Sequence, residues 1–210
     1  MYMNFIIFGC LAYLLGSIPS AVWIGKTWYG IDVRQHGSNN AGATNMFRVL
    51  GKNAGISVLL IDIFKGFIAV YSPVLVFLES VYLSPEELAH IQIITAISAV
   101  LGHVFPIFAG FKGGKGVATS LGIIIGIHPP TAFVCLLLFL IIFLTTKFVS
   151  FGAICSSIAF PIVLVFIFKT TDFYLILFSI FLSFAVIFAH RKNIVRLVRG
   201  EENKMNLFKK

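Results

Sequence analysis

Residues 108–120, FAGFKGGKGVATS, set Lys112 and Lys115 among four glycines immediately before an apolar run. Glycines let backbone N–H groups approach an anion, and a helix that starts just after such a loop adds positive potential. The lysines supply full charge. The chemistry on offer is the binding of a phosphate or a similar oxyanion. The pattern is not a Walker A loop, because position 109 is Ala and Gly116 follows Lys115 where G-x-x-x-x-G-K-[ST] would need Gly and then Ser or Thr. A basic, flexible loop at a membrane face is the plainer reading, but lysine alone would serve that purpose.

Two further stretches carry similar chemistry. In DVRQHGSNNAGATNMFRVLGKNAG, residues 32–55, Ser38, Asn40, Thr44 and Asn45 offer hydroxyl and amide donors, flanked by Arg34 and Arg48. A hydrophilic connector would use some of these residues for turns. The density of donors, with two guanidinium forks beside them, points instead to an oxyanion site. In HRKNIVRLVRGEENK, residues 190–204, His190, Asn193 and Arg196 recur at i, i+3 and i+6, so an uninterrupted helix would bring them together. Lys192, Arg199, Lys209 and Lys210 read as a headgroup-binding tail. His190 and Asn193 do not fit that use. Carboxylates near these stretches are limited to Asp32, Glu201 and Glu202. Metal-dependent phosphoryl transfer needs convergent carboxylates, so it is disfavoured, and neither a metal nor a cofactor is expected. No Ser-His-Asp array stands out. Cys10, Cys135 and Cys155 are isolated in apolar runs and read as buried small residues.

The elements that must position these stretches are membrane helices. The chain has 210 residues, 59% of them hydrophobic and only 11% charged, with a mean hydropathy of +0.99. A soluble domain carries roughly 25% charged residues. The apolar runs are continuous and fall near 3–24, 54–78, 90–109, 117–128, 131–146, 152–168 and 173–189. They predict a single all-α membrane domain over 1–210, a bundle of seven transmembrane helices. The N-terminus lacks a basic n-region, so the first run is read as a retained span and not a cleaved signal peptide. His128-Pro129-Pro130 separates the fourth run from the fifth. Seven spans put 25–53, 110–116, 147–151 and 190–210 on one side, with fourteen of the sixteen basic residues. Basic loops collect on the cytoplasmic side, so the N-terminus is out and the C-terminus in. The far side keeps Lys169 with Glu79, Glu86, Glu87 and Asp172, and a six-span count would strand the basic tail there. The three polar stretches thus share one face and can converge. Within the second span, Asp62 and Lys65 stand at i, i+3, either as functional groups or as a mutual ion pair. His103, at a helix end, has a structural reading of equal weight.

The chain resembles the acylphosphate-dependent glycerol-3-phosphate acyltransferases, the PlsY family, along nearly its whole length. The resemblance is carried by GSIPS (16–20), DVRQHGSNNAGATNMFRVLGK (32–52), DIFKG (62–66), GHVFPIFAGFKGGKGVATSLG (102–122), SFGAI (150–154) and HRKNIVRL (190–197), with Glu202 after it. One departure is visible: where the family usually reads GSGN, this chain has Gly37-Ser38-Asn39-Asn40. It does not look like the family built on H-x-x-x-x-D, since the five histidines have Ala41, Thr95, Phe108, Phe133 and Val195 at the Asp position.

The resemblance implies acyl transfer from acyl phosphate to the sn-1 hydroxyl of glycerol 3-phosphate, giving lysophosphatidic acid and phosphate, at the bacterial cytoplasmic membrane. It implies that Ser38, Arg48, Lys112, His190 and Asn193 form the reacting site. Arg34, Asn40, Asn45, Lys115 and Ser150 would lie nearby, and Gly113, Gly114 and Gly116 would form the glycerol phosphate loop. Glu202 matches a glutamate that looks structural. The expected partners are the two substrates and membrane lipid, with no nucleic acid, and the protein is expected to work as a monomer. An acyl phosphate is already activated, so positioning and oxyanion stabilisation would supply most of the acceleration. The alternative is a transporter of a phosphorylated solute, which would need polar access from both sides.

Overall fold

The computed structural model describes residues 2–77 and 84–205. Glu79, Lys209 and Lys210, used in the charge argument, lie outside the described residues. Among the described residues every regular element is helical. Met3–Tyr29, Lys52–Val76, Pro85–Ala109, Pro129–Thr146 and Val149–Ile167 are each long and apolar enough to cross a membrane. Phe173–Ala189 with Arg191–Val198, bent by 61°, would make a sixth, and Val117–Ile127 is a shorter apolar helix. The architecture is that of a multi-pass helical membrane protein. It divides into two compact units, Met1–Ile127 and His128–Lys210.

The first unit contains α1 (Tyr2–Gly16), α2 (Ser20–Tyr29), α3 (Ala43–Leu50), α4 (Lys52–Phe77), α5 (Pro85–Val104) and α6 (Val117–Ile127). The first apolar run is not one unbroken helix. It stops at Gly16 and resumes at Ser20, because Pro19 lacks an N–H to continue the ladder. The Ile18 carbonyl freed by this break accepts a hydrogen bond from Lys65 Nζ on α4 at 2.8 Å. Irregular backbone at membrane depth survives where a side chain meets its polar groups, and Lys65 does so here. The polar stretch 32–55 is itself folded. It holds a 3-10 turn at Val33–Gln35 and the whole of α3, whose Ala43, Asn45 and Met46 are buried. α4 and α6 pack at backbone distance: a Cβ at Gly122 would overlap the Ile63 carbonyl. Small residues at such crossings let membrane helices approach without a hydrophobic driving force. α5 starts with Ser84 accepting from the Glu87 N–H and Glu87 Oε2 accepting from the Ser84 N–H at 2.8 Å, so this acid is part of a capping box.

The second unit contains α7 (Pro129–Thr146), α8 (Val149–Ile162), α9 (Phe173–Ala189) and α10 (Arg191–Val198), with a π-helical turn at Val163–Ile167 after α8. The break expected at His128-Pro129-Pro130 is a helix start. Pro129 occupies the first turn, and His128 Nδ1 accepts from the Thr131 N–H at 3.3 Å. Asp172 accepts from the Leu175 N–H at 3.0 Å and caps α9. The helix carrying the third polar stretch is interrupted: α9 ends at His190 and α10 leaves at 61°. Asn193 and Arg196 keep their i, i+3 relation on α10, while His190 stands at the corner.

Candidate functional site

In the first unit the polar stretch 32–45 is organised by Asn45. This residue is 1% exposed. Its Oδ1 accepts the Ser38 N–H at 2.8 Å, and its Nδ2 lies 3.0 Å from the carbonyls of Val33, His36 and Asn40. The Asn45 amide, expected near the substrate, is committed to the loop, and it shapes the turn that carries Ser38. The departure from GSGN is accommodated in the same turn. Asn39 has φ 56°, the left-handed region, which Asn tolerates better than most side chains. Ser38 is exposed at the tip and Asn40 is half-buried.

Arg34 is likewise engaged. Its Nε and Nη2 donate to the two oxygens of Asp32 at 3.0 and 2.8 Å, and its Nη1 donates to the Ala109 carbonyl at 2.7 Å. Two of its five N–H groups thus bind within the 32–35 turn, and a third ties that turn to the 107–110 turn. The Arg34 guanidinium holds the Asp32 carboxyl far below the usual carboxylate range against the upward pull of burial, and Lys26, 3.3 Å away, adds to this. The Arg34 pKa is raised in return. Arg34 is a brace between two loops before it is a ligand group. Arg48, near the end of α3, and Lys112 are exposed, and Lys115 is half-buried.

Asp32, Arg34, Gln35, Asn39, Ala109, Gly110, Lys112 and Gly113 line an open cavity of about 530 Å³. It draws its lining from the first two polar stretches, and it includes Asp32, Gln35 and Asn39, which sequence reasoning did not assign. The D-x-R spacing was the available signal for Asp32, since an Asp that accepts the N–H two residues on marks a turn.

The glycines of 113–116 act differently from a simple N–H cradle. The Gly113 N–H donates to the Val104 carbonyl and the Gly114 N–H to the His103 carbonyl, both at 3.2 Å. Both N–H groups point into the protein and are not the ones an anion would meet. A Cβ at Gly113 would lie 2.6 Å from Pro106 Cδ, and one at Gly114 would overlap the His103 imidazole. These glycines let the loop lie flat on the end of α5, carrying Lys112 at its edge.

In the second unit the organiser is Glu202. Its Oε1 accepts from Ser150 Oγ at 2.8 Å and from Asn193 Nδ2 at 2.7 Å, and its Oε2 accepts from Arg196 Nε at 2.7 Å. Burial pulls the Glu202 carboxyl upward, but the hydrogen bonds from Asn193, Arg196 and Ser150 outweigh it and the pKa falls below its ordinary 4.5. His190 is 3% exposed, and its Nδ1 lies 2.8 Å from the Val186 carbonyl. A carbonyl can only accept, so Nδ1 carries a proton.

Comparison with known proteins gives a consistent picture. The family model described as glycerol-3-phosphate acyltransferase matches residues 6–200. A glycerol-3-phosphate acyltransferase of Fusobacterium nucleatum subsp. nucleatum is 42% identical over 96% of this chain and 98% of its own. One from Chlorobium phaeobacteroides (strain BS1) is 40% identical over 93% and 94%. The crystal structure of PlsY, an integral membrane glycerol 3-phosphate acyltransferase, in its glycerol 3-phosphate form superposes with a TM-score of 0.86 at 36% identity, covering 98% of this chain and 99% of that one. Its lysophosphatidic acid form gives 0.81 at 35% identity, covering 97% and 96%.

Proposed function

This chain belongs to the glycerol-3-phosphate acyltransferase family, and on that premise we propose that it transfers a fatty acyl group from acyl phosphate to the sn-1 hydroxyl of glycerol 3-phosphate, releasing lysophosphatidic acid and inorganic phosphate. The observation that carries this reading is the cationic cavity of the first unit, where Lys112 stands on a glycine loop beside the Ser38 turn. Such a site suits a phosphorylated acceptor. The relatives and structural neighbours are acyltransferases, so the transporter alternative finds no support.

In this reading Arg48 and Lys112 bind substrate phosphate, with Lys115 and the backbone at Gly116 beside them. Ser38 and Asn193 orient the reacting groups. The hydroxyl attacks the acyl carbonyl directly, phosphate leaves, and no acyl-enzyme forms. His190 takes the hydroxyl proton through Nε2, or a substrate phosphate oxygen takes it while His190 binds. The membrane arrangement is seven spans, counting the short α6 and the bent α9–α10 pair, with the N-terminus out and the C-terminus in. Stretches 25–53, 110–116, 147–151 and 190–210 then face the cytoplasm, and the protein acts as a monomer in the bacterial cytoplasmic membrane, supplied with acyl donor through the lipid.

Purified protein incubated with acyl phosphate and labelled glycerol 3-phosphate is expected to give labelled lysophosphatidic acid. No product from acyl phosphate or from acyl-CoA would remove the activity. With saturating substrates, a near-parental kcat for His190→Gln would rule out the base role. Trapping a labelled acyl group on Ser38 would overturn direct attack.

A further inference from the structure

We propose that Asp62 and His103 are positioning residues that set the height of the 112–116 loop, and so the placement of Lys112 against the phosphate of the acceptor. This rests on the reading of that loop as the glycerol phosphate site. Both residues lie away from the cavity, and the chemistry above does not use them.

The chain of contacts runs from the loop into the membrane-spanning helices of one unit. The backbone of Gly114 rests on the His103 imidazole, with no room for a side chain between them, and the N–H groups of Gly113 and Gly114 are anchored on the carbonyls of Val104 and His103. The ring that forms this floor is itself fixed. Its Nδ1 is 3.1 Å from Thr119 Oγ1 on α6 and 3.7 Å from Asp62 Oδ1 on α4. Asp62 Oδ1 in turn accepts Ser20 Oγ at 2.7 Å and pairs with Lys65 Nζ at 2.9 Å. Lys65 also satisfies the Ile18 carbonyl exposed by the break before Pro19. Ser20, Asp62, Lys65, His103 and Thr119 are all between 0 and 6% exposed. Tilting the ring therefore requires disturbing α2, α4, α5 or α6.

A buried pair is a poor device for stability alone, because apolar residues of the same volume often do as well. Its contacts are directional, however, and Asp62 Oδ1 stands 3.7 Å from the His103 ring that underlies the loop carrying Lys112. Small displacements of a binding group are felt strongly in kinetics. The expected signature is a selective loss of acceptor affinity.

The test varies glycerol 3-phosphate and acyl phosphate separately, with thermal melts of each purified variant. His103→Ala is expected to raise the glycerol 3-phosphate KM about tenfold, and Thr119→Val about threefold, with kcat and the acyl phosphate KM changed less than about twofold. His103→Asn, which keeps a polar atom near the Nδ1 position, and Thr119→Ser should recover most of the affinity. The paired change Asp62→Leu with Lys65→Met should raise the same KM even where its melting temperature is near the parent's. If His103→Ala does not fold, the two Thr119 variants carry the test. Equal rises in both KM values, or a fall in kcat alone, would overturn the proposal. Lys112→Gln measured alongside separates it from its premise. An unchanged acceptor KM in Lys112→Gln removes the loop reading itself. A raised KM there with parental values in the His103 and Thr119 variants removes only the positioning role.

Discussion

Each unit contains a carboxylate that joins several helices through polar side chains, Asp62 in the first and Glu202 in the second, and the two differ in depth. Asp62 lies on a membrane-spanning helix, 1% exposed, with a hydroxyl, an ammonium and an imidazole about it. Glu202 lies just past α10 and collects a hydroxyl, an amide and a guanidinium, its own side chain 6% exposed and that of Arg196 35%. At depth the carboxylate must be paired, since an isolated charge there has no water to turn to. Nearer the surface that constraint relaxes, and the carboxylate can hold a side chain expected in the reacting site, Asn193, and one expected beside it, Ser150, by direct contact. Asp62 reaches its loop only through His103. Depth sorts a supporting carboxylate into one that specifies helix geometry and one that aims individual groups.

The sharpest way to break this comparison is to remove both carboxylates. Asp62→Ala leaves the Lys65 ammonium buried without its counter-charge, so a loss of about 3–5 kcal/mol is expected, read as a large drop in detergent-phase melting temperature or in yield of folded protein. A melting temperature near the parent's would show that water reaches Lys65 and that depth is not what distinguishes the two sites. Asp62→Leu with Lys65→Met should regain most of that stability.

Glu202→Gln should cost less, about 2 kcal/mol, because it weakens charge-assisted bonds that lie near solvent. Its effect also has a pH signature. The folded-state pKa of Glu202 lies below the ordinary 4.5, so its contribution is complete above about pH 4.5 and is lost as pH falls through the lower folded value. The gap in melting temperature between the parent and Glu202→Gln should therefore be constant near neutrality and close below pH 4.5. A gap that widens on acidification would mean that the carboxylate is not stabilised as its three donors imply.

Much of this was legible in the residues. Long apolar runs, the His128-Pro129-Pro130 break and the i, i+3 placement of Asp62 and Lys65 are one-dimensional signals; the break is a helix start and the two charges pair, while the first run is split at Pro19. The third polar stretch was legible only in part: Asn193 and Arg196 do share a face, but the chain turns at His190, and the Glu202 that holds both side chains also holds Ser150, a residue distant in sequence. Asn45 shows the same limit. Its type suggested a ligand contact, whereas its burial beneath the Ser38 turn comes from the packing of α3. The inward N–H groups of Gly113 and Gly114 were hidden for a related reason. A glycine pattern marks close approach, but not whether an anion or a helix end is what approaches.

The smallest change sharpens the comparison most. Ser150 is 4% exposed and donates to the same Glu202 oxygen that receives the Asn193 amide. Ser150→Ala removes one of several donors to that carboxylate, so about 1 kcal/mol of stability is at stake. Its kinetic effect depends on where its hydroxyl acts. If Ser150 works by holding Glu202, and through it Asn193, then Ser150→Ala and Glu202→Gln disturb one object, and the double variant should lose little more activity than Glu202→Gln alone. If the hydroxyl touches substrate instead, the two losses should multiply, with the acyl phosphate KM raised by Ser150→Ala in either background. The bond to Glu202 favours the first outcome, because a hydroxyl has one proton and here it points at the carboxylate. Multiplying losses would move Ser150 out of the supporting network and into contact with substrate, and Glu202 would then hold Asn193 without its help.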